Sequence, residues 1–455
     1  MRSLILGLLL AAGCANVTDN TKKEERDTSA AGSHFDIRDY GARSDGSVCT
    51  KAFADAIKAA NAAGGGRVFV PKGVWLTGAL HLKSNVELCL DDGAEVEFTD
   101  NLNDYLPGVP VSWEGVECIN VSPLVYAYAC TNIAITGRGL FRPRLKFWEK
   151  WKGRRKPACE KACRILKDVW AVKGVPVAER RLYELPGAEF RPHFFHFNRC
   201  RNVRLEGFSA RGTPFWTVHI FRCRDVAVRR LDLNAFYEEG KAFNNSDGID
   251  IESSSDVLVE DCSLRQGDDA IVIKAGQIDS VTPTENVLVR NCRVYEGHCV
   301  VAVGSEIGGG VRNVRCENCR AEGNVWRVCF VKTNPRRGGF VDGLSVENFE
   351  VDNVTMEAFT VLTRYGYGPP CEPFAPVEHP TSIRNLTLRN IRVGQAKCKV
   401  RIEGEFGHEV ENVTLDNFTV RSPTLHPDKI VNAKNVMIDG KPAKTVSSRV
   451  KELQL

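Results

Sequence analysis

The sequence predicts an all-β fold, a single-stranded, right-handed parallel β-helix with a capping helix at its N-terminal end. The first observation is a set of rows in the second half of the chain, such as RNVRLEGFSA, SDVLVEDCSL and VENVTLDNFT, in which apolar and polar residues alternate. Alternation at period two indicates strands buried on one face. The second observation is that the rows begin roughly 23 to 42 residues apart, as the coils of a β-solenoid do. The third is that helical periodicity is nearly absent after residue 190.

The first fourteen residues resemble an export signal that ends in a lipidation site. Arg2 provides a positive charge, Leu4 to Leu10 form an apolar stretch too short to span a bilayer, and AAGC ends in Cys14. We predict a lipoprotein attached to a membrane only through the lipid on Cys14, in the periplasm or on the outer membrane of a Gram-negative bacterium. An ordinary cleaved secretion signal is the alternative. Residues 15–33 are polar and predict a flexible tether.

The charge balance excludes a basic surface for nucleic acid. The chain of 455 residues has 61 Lys and Arg against 57 Asp and Glu, and the two signs are interspersed. A formal net charge of +4 is compatible with an acidic substrate but does not indicate one.

Residues 34–445 are predicted to form the β-helix domain. Near its start, the sequence predicts a strand, a glycine turn and an amphipathic helix from Thr50 to Ala63, which would cover the open end of the solenoid. A long basic insertion, rich in tryptophan, spans about residues 141–190. It is either a loop that lines a binding groove or a packed flap without ligand contact.

Many of the 17 cysteines occur in repeated contexts rather than in a disulfide pattern. Five of them recur once per row, which indicates a stack of small buried side chains: Cys200, Cys223, Cys262, Cys292 and Cys319. Cys159 and Cys163 are better candidates for a disulfide or a metal, although no second ligand pair lies nearby in sequence. No bridge is assigned.

The acidic residues of the central rows recur at the spacing of the coils. Asp247 precedes Asp268 by 21 residues, His298 follows Asp269 by 29, and Lys332 follows His298 by 34. Residues one coil apart lie about 4.8 Å apart along the solenoid axis. These five side chains are therefore predicted to form one column on one face.

Three carboxylates with a histidine and a lysine suit the hydrolysis of a glycosidic bond. That reaction needs a protonated carboxyl group for the leaving oxygen and a carboxylate that acts on water or on the sugar. A neighbouring carboxylate raises the pKa of the acid. Lys332 would then hold an anionic sugar.

The motifs that contain these residues resemble glycoside hydrolase family 28, the polygalacturonase family. NSDG at 245–248 is similar to the family's Asn-Thr-Asp-Gly, and GDDAIVIKAG at 267–276 to its Gly-Asp-Asp segment. GHCVVAVGSE at 297–306 and VCFVKT at 328–333 take the places of its Gly-His-Gly and Arg-Ile-Lys segments. The resemblance covers roughly residues 34 to 420.

The resemblance implies an inverting hydrolase of α-linked galacturonic acid in pectic polysaccharides or oligosaccharides. Asp268 would be the general acid, and Asp247 with Asp269 would position and activate the water. His298 would tune the protonation of the acid, while Lys332 and Asn245 would bind substrate. The expected partner is an acidic plant cell-wall polysaccharide. No cofactor or metal is expected, and a monomer is predicted.

Other residues are weaker candidates. Trp216 and His219 either line the groove or point inward, and Tyr365 is predicted to contact substrate. Glu252 and Lys274 occupy strand positions that favour a structural pair.

Two residues depart from the family pattern. Phe330 stands where the family has arginine, and Cys299 replaces the second glycine of Gly-His-Gly. If the strand continues, alternation places Arg327 on the face opposite Phe330, where it is a poor substitute for the family's arginine unless the chain bulges. Phe330 and Lys332 share a face. We expect Phe330 to offer an apolar surface to a less charged sugar, such as the rhamnose of rhamnogalacturonan.

Two other functional classes stay open at this point. A pectic polysaccharide lyase also uses a parallel β-helix, but the acid pair and His298 argue against it. A non-catalytic carbohydrate-binding or adhesive solenoid is the second, and it is favoured only by the changes at Phe330 and Cys299.

Overall fold

The computed structural model describes residues 33–151, 157–188, 190–238, 240–366 and 379–447. These residues form a right-handed parallel β-helix, as predicted, in which the chain winds repeatedly through three parallel sheets. Residues 1–32 lie outside the described ranges, and with them the predicted signal, Cys14 and nearly all of the predicted tether.

The first sheet runs the full length of the solenoid. Its strands are β1 (His34–Asp36), β2 (Gly66–Val70), β5 (Val86–Leu90), β10 (Thr131–Gly137), β13 (Arg201–Glu206), β16 (Arg224–Arg229), β19 (Ser255–Glu260), β22 (Thr284–Arg290), β24 (Val311–Glu317), β26 (Phe340–Val354), β28 (Ser382–Gln395), β30 (Val410–Val420) and β32 (Ala433–Ile438), with β33 (Lys441–Pro442) antiparallel at the end.

The second and third sheets complete each coil. The second comprises β3 (Gly73–Thr77), β6 (Ala94–Phe98), β11 (Leu140–Pro143), β14 (Ser209–Arg211), β17 (Asp232–Asn234) and β20 (Ser263–Arg265), and continues through parts of longer strands. The third comprises β4 (Leu80–His81), β9 (Val125–Tyr128), β12 (Phe195–Asn198), β15 (Val218–Phe221), β18 (Ile249–Glu252), β21 (Ile271–Lys274), β23 (Arg293–Gly304), β25 (Arg320–Lys332), β27 (Glu357–Leu362), β29 (Cys398–Glu403) and β31 (Lys429–Val431).

The core is built from identical positions of successive coils. In the first sheet, the register stacks inward aliphatic residues directly upon one another: Val203, Val226, Val257, Val287, Val314 and Leu344. All are buried. Each coil buries its apolar side chains against the next coil. A single coil could not bury the apolar residues of the alternating pattern, so the fold requires the stack.

Asparagine marks the turns between the sheets. Asn348, Asn390 and Asn417 all have positive φ, a conformation that asparagine tolerates better than most residues. Their side-chain amides also form a ladder, since Asn390 donates to Asn348 at 3.0 Å and Asn417 donates to Asn390 at 2.9 Å. The turn residue of one coil therefore stabilises the turn of the next.

The predicted capping helix is confirmed as α1 (Thr50–Ala62). Its apolar face is buried in the core through Phe53, Ala56 and Ile57. The helix ends before Gly64 and Gly65, which both have positive φ.

The predicted cysteine stack is also confirmed. Cys200, Cys223, Cys262, Cys292 and Cys319 are buried thiols of the main core. Cys159 and Cys163 lie on α2 (Pro157–Arg164) in the insertion.

The insertion packs as a flap on an antiparallel hairpin of β7 (Val109–Trp113) and β8 (Val116–Asn120). It contains α2, α3 (Ala171–Lys173), a π-helical turn (Ile165–Trp170) and short 3₁₀ turns at Leu145–Trp151, Val177–Glu179 and Leu182–Glu184; two more 3₁₀ turns lie at Ile37–Tyr40 and Leu102–Tyr105. Leu166 and Leu182 pack with Trp113 and Trp216 in a second core. The segment is therefore packed against the body of the protein. Within the described ranges, no helix has both the length and the apolar character needed to cross a membrane.

Candidate active site

The predicted site residues lie together on the outer face of the third sheet. Asp247 precedes β18, Asp268 and Asp269 precede β21, His298 is in β23 and Lys332 ends β25. The N–H of Gly248 donates to the carbonyl of Asp269, and the N–H of His298 donates to that of Asp268. The coils therefore hold these segments side by side. The prediction of a single column is corrected, because the side chains occupy several neighbouring positions of one face.

Asp268 is held by its neighbours. One carboxylate oxygen lies 2.9 Å from His298 Nδ1 and accepts the N–H of Asp269 at 3.0 Å. The other accepts the backbone N–H of Asn245 at 3.3 Å. Asn245 has φ 57°, so the left-handed turn of the NSDG motif aims this N–H at Asp268.

Lys332 pairs with a carboxylate of the site itself. Its Nζ lies 2.6 Å from Asp269 Oδ2, and both residues are buried. Burial lowers the pKa of Lys332, but Asp269 and Asp268 outweigh it and raise that pKa well above its usual value. The lysine is therefore a permanent cation between the acids and the downstream groove.

The carboxyl groups of the site differ in pKa because their surroundings differ. Burial raises the pKa of Asp247 well above its usual value, and the carboxylates of Asp268 and Asp250 raise it further. Burial alone would also raise the pKa of Asp268, but the hydrogen bond with His298 and the charge of Lys332 lower it to about 2. Without substrate, Asp247 holds a proton and Asp268 is ionised.

A buried polar network beneath this face was not predicted from sequence. Asp250 is fully buried, and within the described part of the chain neither of its carboxylate oxygens has a hydrogen-bond partner. Glu252 accepts from Ser112 at 2.9 Å and lies 2.8 Å from His219 Nε2. Ser112 is 140 residues away in sequence, so no local pattern could have indicated this contact.

The predicted pair of Glu252 and Lys274 is wrong. The two residues are register partners on adjacent strands, but Lys274 Nζ lies 3.0 Å from Glu306 Oε2 and donates to the carbonyl of Gly304 at 3.1 Å. Burial alone would raise the pKa of Glu306, but the cations of Lys274 and Arg337 outweigh it and hold that pKa well below the usual value.

Trp216 lies behind the groove surface. It is only 2% exposed, stacks on Phe215, and has Lys274 Nζ 4.7 Å from its ring centroid. Its predicted substrate contact is therefore corrected to a supporting role. His219 is likewise buried, in edge contact with the Trp216 ring at 4.9 Å.

The surroundings of Phe330 differ from the prediction. Phe330 is 3% exposed, so its ring is not open to a sugar. The Arg327 guanidinium lies 4.4 Å from its centroid, Lys332 Nζ lies 5.4 Å away, and Tyr365 packs edge-on at 5.5 Å. The shared face of Phe330 and Lys332 is confirmed, and Tyr365, which is well exposed, borders the same groove.

Arg327 lies on the same face as Phe330, so the strand does not continue the alternation that would have placed it on the opposite face. The reason is a break in alternation: Val328 and Cys329 both belong to the core where the chain turns from one sheet to the next. Arg327 Nε donates to Thr360 at 3.1 Å, and Nη2 lies 2.8 Å from Glu357. Cys299 is the register partner of Arg327 and packs with Phe330 in a small apolar cluster.

Two sets of side chains have the residue types of a metal site. The nitrogens of His193, His196 and His219 lie within 4.8 Å of one another, as do the ligand atoms of Asp268, Asp269 and His298. The three imidazoles are stacked or slightly tilted, with centroids 4.7 to 4.9 Å apart. Their ring planes make angles of 21°, 29° and 40° with one another.

Trp326 is a further residue of this face that was not predicted from the sequence. Its ring stacks on the His298 imidazole, with centroids 3.5 Å apart and planes 17° apart, yet the side chain is 45% exposed. A tryptophan in the middle of the strand-like segment of β25 is its signal in the sequence.

A β-helix that groups three carboxyl groups and a histidine on one groove has the side chains that the hydrolysis of a glycosidic bond requires. The model described as "Glycosyl hydrolases family 28" matches residues 184–445, more than half of the chain. The protein therefore belongs to glycosyl hydrolase family 28 and is a glycosidase.

Solved and curated proteins agree with this assignment. The crystal structure of a hyperthermoactive exopolygalacturonase from Thermotoga maritima matches with a TM-score of 0.80 at 32% identity, over 90% of this chain and 92% of that chain. An exo-poly-α-D-galacturonosidase of Dickeya chrysanthemi is 25% identical over 392 residues, 80% of this chain and 63% of its own length. A probable polygalacturonase of Vitis vinifera is 23% identical over 409 residues, 84% of this chain and 73% of its own length.

Proposed function

We propose that the protein hydrolyses α-linked galacturonic acid in pectic polysaccharides or oligosaccharides. The observation that carries this proposal is the grouping of Asp247, Asp268, Asp269 and His298 on one groove, in a chain 32% identical to an exopolygalacturonase over most of its length. Lys332 and Arg327 add two cations to the groove, which suits a substrate with one carboxylate per sugar.

In the proposed mechanism, Asp268 protonates the leaving oxygen, and Asp247 with Asp269 positions the attacking water. Because Asp268 is ionised in the free protein, it must receive a proton before it acts. His298, 2.9 Å away, is the group that can supply one through Nδ1. Asp269 pairs with Lys332 at 2.6 Å, which suits a group that orients or accepts from water. The anomeric configuration would invert.

The remaining predicted contacts complete the substrate site. Tyr365 and Lys332 border the groove together, with Nζ 5.3 Å from the phenol ring. Arg327 replaces Phe330 as the proposed substrate contact at this position. Its guanidinium has five N–H groups, and the bonds to Thr360 and Glu357 use two of them. This favours a uronate over the less charged sugar expected from the sequence.

Product analysis tests the proposed function. Purified protein is incubated with saturated oligogalacturonates and with polygalacturonan, and the products are separated by size. We expect saturated products with a new reducing end, formed equally well in the presence of a chelator. Products with an ultraviolet-absorbing double bond would indicate a lyase, and unchanged substrates would indicate a binding protein. Release of monomers or dimers only, against rapid loss of viscosity, would distinguish exo from endo action.

We also propose export and lipid attachment through Cys14, which rest on the N-terminal sequence alone. Cys14→Ala should move the protein from the membrane fraction to the soluble fraction, because a thioether-linked lipid requires the thiol. The comparison is made by fractionating cells that express either form. A wild-type protein that is already soluble and is cleaved at another residue would contradict the proposal. We expect a monomer by light scattering.

A further inference from the structure

Trp326 occupies the outer face of the groove immediately beyond the catalytic histidine. The N–H of His298 donates to the carbonyl of Asp268, and the N–H of Met356 donates to that of Trp326. Asp268, His298, Trp326 and Met356 therefore follow one another along the solenoid axis, one coil apart. At about 4.8 Å per coil, Trp326 lies roughly two coils from the general acid, on the C-terminal side.

The exposure of Trp326 does not fit a purely structural residue. One face of the indole is covered by His298 at 3.5 Å. A ring covered on both faces exposes only its rim, as the buried Trp148 and Trp216 illustrate. At 45% exposure, the second face of Trp326 must be largely open to solvent. Leaving such a surface in water has a free-energy cost, since burial of an indole is strongly favourable.

We propose that the open face of Trp326 is a binding subsite for one hexuronate ring of the substrate. The face of an aromatic ring carries partial negative charge, and the C–H groups of a sugar carry partial positive charge, so the two attract in a stacked arrangement. This inference rests on the proposed function, since it takes the occupant to be a sugar of the polyuronate chain.

The surroundings also determine which part of the sugar meets the ring. A carboxylate is repelled by the aromatic face, so the uronate must present its C–H surface to Trp326 and direct its carboxylate elsewhere. The adjacent residue, Arg327, is 7% exposed, and its bonds to Thr360 and Glu357 use two of its five N–H groups. The subsite therefore combines an apolar platform with a neighbouring cation, as a galacturonate requires.

The experiment compares Trp326→Ala, Trp326→Phe and the wild type on di- and trigalacturonate. We expect Trp326→Ala to raise KM for the trimer about tenfold or more, because a stacked contact is lost. Trp326→Phe keeps an aromatic face and should recover most of the affinity. Binding is measured directly by quenching of tryptophan fluorescence with trigalacturonate in Asp268→Asn, and the quench should shrink when Trp326→Phe is added.

Tyr128→Ala is the matched control. Tyr128 is a similarly exposed aromatic residue on the same sheet, but it lies in β9, four strands before β21. At about 4.8 Å per strand it is beyond the reach of a trimer that spans Asp268 and Trp326. Its loss should leave KM unchanged.

The outcomes separate the subsite from the proposed function. If Trp326→Ala lowers kcat equally for both substrates, with KM and the fluorescence quench unchanged, Trp326 only positions His298 and the subsite is wrong. If the wild type cleaves oligogalacturonates and Trp326→Ala is indistinguishable from it, the subsite alone is contradicted. A wild type that binds and cleaves none of them contradicts the proposed function.

Discussion

Neighbouring carboxyl groups on the groove differ in protonation because their partners differ. Asp268 faces His298 and lies near Lys332, which together lower its pKa to about 2. For Asp247, burial and the carboxylates of Asp268 and Asp250 outweigh the opposing charge of Lys274 and leave the pKa well above the usual value. In the free protein, the pKa values of two side chains of the same type are therefore shifted in opposite directions, a common feature of acid–base pairs in hydrolases.

We expect Asp268→Asn to reduce turnover of oligogalacturonates by about 10²- to 10⁴-fold, the range found when a general acid is removed. The amide keeps the shape of the side chain, so the fold and substrate affinity should remain. An aryl galacturonide, whose leaving group needs little protonation, should retain far more of its rate. The rates are measured by release of reducing sugar and of the aryl group.

Asp225→Asn, an exposed residue of β16, is the control and should behave as the wild type. Equal losses on both substrates would mean that Asp268 is not the acid, and the same comparison on Asp247→Asn would then identify which carboxyl donates the proton.

At the scale of elements, the coils were predictable because every coil needs the same residue types at the same positions. Inward aliphatic residues must stack and a turn residue must tolerate positive φ, so Val and Asn recur at fixed offsets in the sequence. The capping helix has its own period and a glycine stop. These are local signals, and the structure confirms them.

The corners between sheets were less predictable. Val328 and Cys329 both point inward where β25 passes from one sheet to the next, and this reverses the side on which Arg327 emerges. Alternation contains no information about such a break. Partners distant in sequence were equally hidden, since Lys274 selects Glu306 rather than the register neighbour Glu252.

The asparagine ladder gives a testable contribution to stability. Asn390 has φ 55°, donates to Asn348 and accepts from Asn417. We expect Asn390→Ala to lower the free energy of unfolding by about 1–3 kcal/mol, because two hydrogen bonds are lost and alanine disfavours positive φ. Asn390→Gly loses the same bonds but relieves the backbone, so it should cost less. Urea denaturation measures both, and a glycine variant less stable than the alanine variant would contradict the argument.

At the scale of the whole molecule, the third sheet buries titratable groups of two opposing kinds. Burial lowers the pKa of His193, His196 and His219 well below the usual value. Burial also raises the pKa of Asp247 and Asp250 well above theirs, and that of Glu252 to about 8. The native protein therefore keeps neutral histidines and protonated carboxyls at the pH where the unfolded chain ionises both.

The two kinds act on stability in opposite directions. Below about pH 6.5, the histidines bind protons in the unfolded chain but stay neutral in the native protein, so stability falls as the pH falls. Above about pH 4, the unfolded carboxyl groups release protons that the native ones retain, so stability falls as the pH rises. Between these two pH values, the three histidines and the three carboxyl groups make opposite contributions to the pH dependence of the free energy of unfolding, and these contributions nearly cancel. We therefore expect a plateau of stability between about pH 4.5 and 6.5, with losses on both sides.

Asp250 tests the alkaline side of this plateau. Burial raises its pKa, Lys274 opposes the rise, and Asp269 and Glu252 add to it. Asparagine has nearly the same shape and does not ionise in either state, so Asp250→Asn should remove the contribution of this group to the pH slope. Relative to wild type, the variant should gain roughly 1 kcal/mol in the free energy of unfolding for each pH unit between pH 5 and 8. Urea denaturation across that range gives the slopes. Asp256→Asn, at an outer turn with Asn286 and Arg224 as partners, should leave the slope unchanged. Parallel curves for Asp250→Asn and the wild type would mean that Asp250 is ionised in the folded protein, and that Lys274 is its true counter-ion despite the pairing with Glu306.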